Sequence, residues 1–341
     1  MPGIAQSLDT AGFLSVFKAL AHPVQYRMDV ISRICALHRH NTRERAHHLM
    51  IHILYNPLAG SGRSEEKARE AAALLAPRET EILDITTLDT AAFMKKLPLG
   101  DEVVLSGGDG TINHFINALG GQPPRQGVLY YPAGSGNDFM HDVSAKDNST
   151  MVPLNRYLAD LPTVEISSKR YYFVNGVGYG IDGYCCEVGD IQRSEGKKNV
   201  NYTAIAIKGL LFGYHPVRAA VTVDGKTQRF RHVWLSPAMN GRYYGGGMEV
   251  APAQDRLNPD RTVSVVVMHC ASKLKTLTVF PSIFKGEHVK HDEMVTVLTG
   301  HDIRVEFDRP TALQIDGETI SGVRGYHVRS AAAEAAEKAV G

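Results

Sequence analysis

No stretch of this chain approaches the roughly 18 consecutive apolar residues of a membrane-spanning helix. Nor does it open on a basic segment followed by an apolar core, so secretion is not expected. Charge of one sign is missing too: 37 Lys and Arg stand against 36 Asp and Glu, which gives no electrostatic case for nucleic acid as a partner. Cysteine is scarce. Cys35, Cys185, Cys186 and Cys270 form no Cys-x-x-Cys pair, and free thiols in a reducing cytoplasm are expected. There is no internal repeat. What remains is ordinary globular composition, 43% hydrophobic and 21% charged, over 341 residues, a length that suggests two domains.

The first ~50 residues differ from the rest. Six of the fifteen histidines fall by residue 52, and Lys18, Arg27, Arg33, Arg39, Arg43 and Arg45 outnumber Asp9, Asp29 and Glu44. Phe13, Phe17 and Leu20, then Val24, Met28, Ile31 and Cys35, have helical spacing. Residues 1–49 read as an appended helical extension, non-core or disordered. The alternatives are a basic amphipathic membrane-surface anchor and a functional protein that starts at Met50.

Residues 50–150 alternate strand and helix. Strands are expected at Ile51–Tyr55, Glu81–Ile85, Glu102–Leu105 and Val128–Tyr131, with helices at 63–76, 90–97 and 111–119. That order implies a mostly parallel sheet covered on both faces, a Rossmann-like three-layer domain. Its ligands bind beyond the carboxyl ends of the strands. Residues 151–330 change to short β segments with Gly, Asp and Asn between them, which reads as an antiparallel β-sandwich with one helix near Lys273–Lys285. The Ala-rich end, 331–341, reads as a frayed helix or tail.

Each strand of the first domain ends in a polar or glycine-rich loop: Asn56, Pro57, Gly60 and Gly62; Thr86 and Thr87; Gly107, Gly108, Asp109, Gly110, Thr111 and Asn113; Gly134, Ser135, Asn137 and Asp138. Small residues ahead of a helix make an anion nest, and the first helical amides point at the anion. No Lys-Ser/Thr pair is present, so none of these is a Walker A loop. Four such loops at one sheet edge converge, and a nucleotide-phosphate site follows. The literal Gly-x-Gly-x-x-Gly at Gly178–Gly183 lacks a βαβ context and a clean following helix, so it is not read as a dinucleotide fingerprint. Asp182 within it is either a turn residue or a contact to a substrate hydroxyl. Asp316 and Glu318 flank Gly317 on a tight turn that could carry a proton-accepting carboxylate across an interdomain cleft. Asp255 and Asp260 read as solvated or as ligands of a structural cation.

Taken in order, Asn56-Pro57 with Gly60 and Gly62, Gly107 to Thr111, Gly134 to Asp138, Asn175 to Gly183, Asn240-Gly241 with Gly245 to Gly247, and Asp316-Gly317-Glu318 resemble the diacylglycerol kinase catalytic-domain family, which includes sphingosine and ceramide kinases. The resemblance covers about residues 51–330. It implies ATP and Mg²⁺ in an interdomain cleft and a lipid alcohol as acceptor, most readily diacylglycerol. Other lipid or polyol acceptors, and a nucleotide-binding regulator without catalysis, are the alternatives. It further implies that Gly107 to Asn113, Asn56, Thr86 or Thr87, and Ser135 hold the phosphates. Asp109 organises Mg²⁺, and Glu318, or else Asp316, accepts the proton. Asp182, Gly245 and Gly246 meet the acceptor. In the family a structural Mg²⁺ sits on the loop corresponding to Pro252–Asp260. Here that loop departs from the paired-aspartate spacing and gains a Pro and an Arg. The implied enzyme is cytoplasmic and peripheral to the inner face of the membrane, works on a lipid alcohol there without nucleic acid, and leaves a homodimer open.

Overall fold

The computed structural model describes residues 49–134, 136–144, 150–197, 200 and 202–340. The basic N-terminal segment, Cys35 and Ser135 therefore lie outside the described residues. Residues 50–341 form one compact unit.

The first sheet has the order β2-β1-β3-β4-β5. Its strands are β1 (Ile51–Tyr55), β2 (Thr80–Asp84), β3 (Glu102–Gly107), β4 (Gly127–Pro132) and β5 (Val152–Pro153). The first four are parallel and β5 runs against β4. Side chains alternate between the two faces. Ile51, Ile53 and Val104 pack on Ala68 and Ala71 of helix α1 (Ser64–Leu75). Leu54, Val103, Leu105 and Val128 face Met94 of α2 (Thr90–Lys96) and Ile112, Phe115 and Ile116 of α3 (Asp109–Ala118). The three layers match the expectation. The sheet keeps the chain to Pro153, and Leu154, Tyr157 and Leu158 around α5 (Asn155–Leu158) join its core, so this layer extends past the expected boundary at 150. Helix α4 (Asp138–Val143) follows the fourth loop.

The rest is antiparallel. Its strands are β6 (Thr163–Ile166), β7 (Lys169–Tyr172), β8 (Gly176–Tyr179), β9 (Val217–Val223), β10 (Lys226–Leu235), β11 (Ala238–Met239), the small hairpin β12 (Tyr243–Tyr244) and β13 (Met248–Glu249), β14 (Val263–His269), β15 (Val295–Gly300), β16 (Asp302–Ile315) and β17 (Glu318–Arg329). The long β16 pairs with β9 along its first half and with β8 along its second, after a bulge between Glu306 and Thr311. That bend folds the sheet over a core of Val177, Val221, Val265, Val305, Leu313 and Val328, and produces the sandwich.

Two features differ from the sequence expectation. A full helix, α6 (Ile181–Ser194), leaves β8 directly, and α7 (Tyr202–Lys208) with a π-turn at Gly209–Gly213 follows it. The Gly178–Gly183 motif thus does precede a helix; what excludes a dinucleotide fold is that β8 pairs antiparallel with β11 and β16, so no βαβ unit exists. Gly183 lies so close to the Ala312 carbonyl of β16 that a Cβ there would collide with it, which is how α6 seats on the sheet. The C-terminal segment is also no loose tail. It forms helix α9 (Ala331–Val340), whose buried Glu334 accepts hydrogen bonds from Thr163 Oγ1 (2.8 Å) and Arg170 Nη1 (3.0 Å). Helix α8 (Lys273–Val279), extended by a 3-10 turn to Lys285, lies where one helix was expected. Among the described residues no helix is long and apolar enough to cross a membrane.

Candidate functional site

Helix α3 starts at Asp109, two residues earlier than its apolar pattern suggests, with Gly108 as an N-cap that offers no side-chain acceptor. Its first amides are therefore open to an anion at the positive end of the helix. Gly134 of the fourth loop lies against Gly108: a Cβ on Gly134 would come within 2.5 Å of the Gly108 Cα, so the two phosphate-facing loops meet backbone on backbone. The first loop joins through Asn56, whose Nδ2 donates to Thr111 Oγ1 (3.3 Å) and whose Oδ1 caps Leu58 N (3.0 Å). Gly60 and Gly62 form the 3-10 turn after Pro57. Thr86 and Thr87 turn inward on their own strand end: Thr86 N and Oγ1 both donate to Asp84 Oδ1, and Thr87 Oγ1 to the Asp84 carbonyl. Asn137 stitches its loop, accepting from Gly134 N and Tyr130 OH and donating to the Gly134 carbonyl.

Three carboxylates stand at the seam of the two domains, and the bonds that cross it come from Asn175 Nδ2 to Asp109, Gly246 N and Gly247 N to Asp138, and Asn113 Nδ2 to Asp316. Asp109 accepts from Asp138 N (2.9 Å), Phe139 N (2.8 Å) and Asn175 Nδ2 (2.9 Å). Asp138 accepts from Gly246 N (2.8 Å) and Gly247 N (2.6 Å), at the tip of the β12–β13 hairpin. Gly246, with Gly247, thus meets Asp138 across the seam between domains, and Gly245 lies beside them in the same hairpin turn. Burial and the Asp109 charge beside it push the Asp138 carboxyl above the usual range, against the pull of the two glycine amides. Asp316 is fully buried and accepts four hydrogen bonds, from Val174 N, Asn175 N, Gly176 N and Asn113 Nδ2, at 2.6–3.0 Å. Burial still raises its pKa. A carboxylate so completely engaged is a pin for the turn. Asn113 of α3 is one of its holders, which is the role the structure gives that residue.

Glu318 stands differently. Its side chain is 58% exposed, and Oε1 lies 3.4 Å from where a Cβ on Gly110 would sit, directly over the first turn of α3. His114 Nε2, one turn along the same helix, is 3.3 Å from Oε1. That hydrogen bond holds the Glu318 carboxyl below the ordinary range and the His114 imidazole above its own. His114 escaped sequence reading because its only signal was a position one helical turn past Gly110.

The metal positions separate into two cases. The 252–260 loop does not fit a cation. Asp255 and Asp260 are exposed, and Asp255 closes its own turn onto Leu257 N and Asn258. Among the described residues no group of three metal-ligating side chains occurs. The loop instead sends Arg256 inward. Its guanidinium reaches Asp142 (2.5 Å from Nη2, 2.7 Å from Nε), the Val174 carbonyl and Asn175 Oδ1, and covers the Phe139 ring at 4.8 Å. At Asp109 and Asp138, by contrast, two repelling carboxylates with lone pairs still free suit a Mg²⁺ that arrives with phosphates and keeps its waters.

Asp182 lies at the start of α6, buried, with neither oxygen hydrogen-bonded. The hydroxyls of Tyr214 and Tyr244 are buried and unpartnered as well. Around Asp182 packs an apolar cluster of Ile181, Leu210, Tyr214, Trp234, Met239 and Tyr244. Burial pushes its carboxyl up to about 6, with the nearby Tyr244 hydroxyl and first-turn amides opposing. The unfolded chain titrates near 4, so this carboxylate costs stability as pH rises from there to 6, and the cost is fully present above 6. Asp182→Asn is therefore expected to stabilise the protein at neutral pH by about 3 kcal/mol, with the gain vanishing below pH ~4. Thermal unfolding across that range checks it; an Asn variant equally stable at every pH would show Asp182 to be solvated.

Two family models match the chain: the diacylglycerol kinase catalytic domain over residues 50–159, and the YegS C-terminal NAD kinase beta sandwich-like domain over residues 175–330. Residues 50–159 thus match the catalytic domain of diacylglycerol kinases, and residues 175–330 the sandwich that accompanies it. The diacylglycerol kinase of Mycobacterium tuberculosis is 27% identical over 256 residues, 71% of this chain and 81% of that protein. That of Bacillus subtilis is 24% identical over 279 residues, 78% and 88%. The crystal structure of a diacylglycerol kinase from Bacillus anthracis shares the fold, with a TM-score of 0.52 at 16% identity over 83% of this chain and 93% of that one. The two matched segments meet at the seam built by Asp109, Asp138 and Asp316.

Proposed function

We propose that this lipid-kinase relative transfers the γ-phosphoryl group of ATP to a lipid hydroxyl, with diacylglycerol as acceptor and phosphatidic acid as product. The observation that carries this reading is Glu318, held by His114 over the first turn of α3. Open amides at that turn suit the nucleotide phosphates. Glu318 then takes the acceptor proton as the acceptor oxygen forms its bond to phosphorus and ADP leaves. A bound Mg²⁺ would neutralise phosphate charge, and Asp109 and Asp138 are the residues that would hold it. The cluster around Asp182 suits an amphiphile. It is apolar, yet it keeps a buried carboxylate and two tyrosine hydroxyls without partners for an acceptor's polar end.

Purified protein with Mg²⁺ and γ-labelled ATP, offered diacylglycerol, sphingosine, ceramide, undecaprenol, NAD and no acceptor, tests it. Label is expected on diacylglycerol. Label on another acceptor alone replaces the substrate, and label on none removes the kinase reading.

A further inference from the structure

Above the Asp182 cluster the protein exposes apolar side chains at the tips of two adjacent elements. Phe212 of the π-turn is 78% exposed and Leu274 of α8 76%, with Ile207 and Leu211 beside them at 46% and 37%. The two elements pack together, and Lys273 Nζ donates to the Leu211 carbonyl at 3.3 Å. Buried side chains cannot explain these residues, since their neighbours Ile205, Leu210, Tyr214 and Val279 already fill the core behind. Exposed aromatic and leucine side chains grouped this way need a cover.

Charge says what the cover is. The segments 202–215 and 271–282 contain Lys208, Lys273 and Lys275 and no Asp or Glu. Lys275 is paired with Glu293, but among the described residues neither Lys208 nor Lys273 has a carboxylate partner. Apolar tips beside lysines without carboxylate partners match an anionic bilayer surface, where the tips enter the acyl boundary and the ammonium groups stay among the headgroups. The elements beneath also link this patch to the cluster below: Tyr184 of α6 lies against both Gly209 and Gly213 of the π-turn, and Tyr214 packs near Trp234.

We infer that the π-turn and α8, through Phe212, Leu274, Lys208 and Lys273, form the face on which the protein docks to an anionic membrane. This inference rests on the lipid-acceptor reading for its purpose, though not for its test. Docked this way, the protein sets the Asp182 cluster one layer of side chains from the lipid.

Sedimentation with phosphatidylcholine vesicles, with and without phosphatidylglycerol, measures the binding. The full chain is expected to bind the mixed vesicles more tightly, and Phe212→Ser with Leu274→Ser to weaken that binding about 10-fold or more. Lys208→Glu with Lys273→Glu should remove the preference for phosphatidylglycerol. All four positions are exposed, so thermal stability should not move, nor should phosphorylation of a short-chain diacylglycerol dispersed in detergent. Mixed-vesicle binding that is absent in the full chain, or unchanged in the Ser variant, overturns the docking face. Binding that is lost in the variants while no lipid is phosphorylated by any form leaves the face standing and removes the acceptor reading.

Discussion

Glu318→Gln is expected to lower turnover by about 10²–10⁴-fold with little change in stability or nucleotide affinity. Glutamine keeps the shape and can still accept from His114, but it cannot take a proton. The side chain is more than half exposed and buries no core contact, so the fold does not depend on it. Asp316→Asn is the instructive comparison. It disturbs four hydrogen bonds in a buried position, and so should reduce activity together with stability. A Glu318→Gln enzyme with full turnover would transfer the base to another group. The pH profile carries a second signature. His114 holds Glu318 ionised to lower pH than an ordinary glutamate, so activity should fall only once pH drops through that lowered value. His114→Ala should move this acid limb upward. The pair's own stabilisation is confined between the lowered Glu318 pKa and the raised His114 pKa: it is lost below the first as the carboxylate protonates and above the second as the imidazole loses its charge. With both side chains more than half exposed, it stays under about 1 kcal/mol.

Arg256→Ala is expected to cost about 2–3 kcal/mol of stability. The guanidinium and the Asp142 carboxylate are 5% and 7% exposed, and deleting Arg256 leaves Asp142 buried with Arg242 as its remaining partner. Burial alone would raise the Asp142 pKa, but Arg256 and Arg242 beside it outweigh that and hold the carboxyl below its usual range. The pair therefore stabilises the protein above the ordinary carboxylate range, and the contribution fades as pH falls through the lowered value. Arg256→Lys should recover little. An ammonium cannot reach Asp142, Asn175 Oδ1 and the Val174 carbonyl in one plane, nor stack on Phe139 in the same way. Chemical denaturation with and without Mg²⁺ measures both points. An alanine variant within about 1 kcal/mol of the wild-type chain, or one whose lost stability Mg²⁺ restores, would mean that a cation and not Arg256 fastens this loop.

The layered first domain was legible because its strands are apolar runs that end in polar or glycine-rich turns, and each turn leads into a helix. The Asp316-Gly317-Glu318 turn was legible as a hairpin, but the division of labour within it was not. Both are acidic, and only the amides of residues 174–176, distant in sequence, decide which one is pinned. Helix α6 was hidden for a local reason. Gly183 and Gly189 interrupt it, and its apolar face, Ile181, Cys185 and Val188, is short and set among strands. The docking of the C-terminal helix depends on one buried glutamate meeting Thr163 and Arg170, partners that no local pattern announces. Arg256 was visible as a departure from the family loop, while its target, Asp142, lies in the other half of the chain.

The joint between the halves has a consequence for mutational scanning. Its acceptors are three aspartates, and their donors are mostly peptide nitrogens, those of residues 138, 139, 174, 175, 176, 246 and 247. Alanine at Phe139 or Val174 removes a side chain and leaves the donating peptide nitrogen in place. A conventional scan would thus register the acceptors and pass over half of the joint. Proline, which alone among the amino acids deletes the donor, is the substitution that would make the silent half visible.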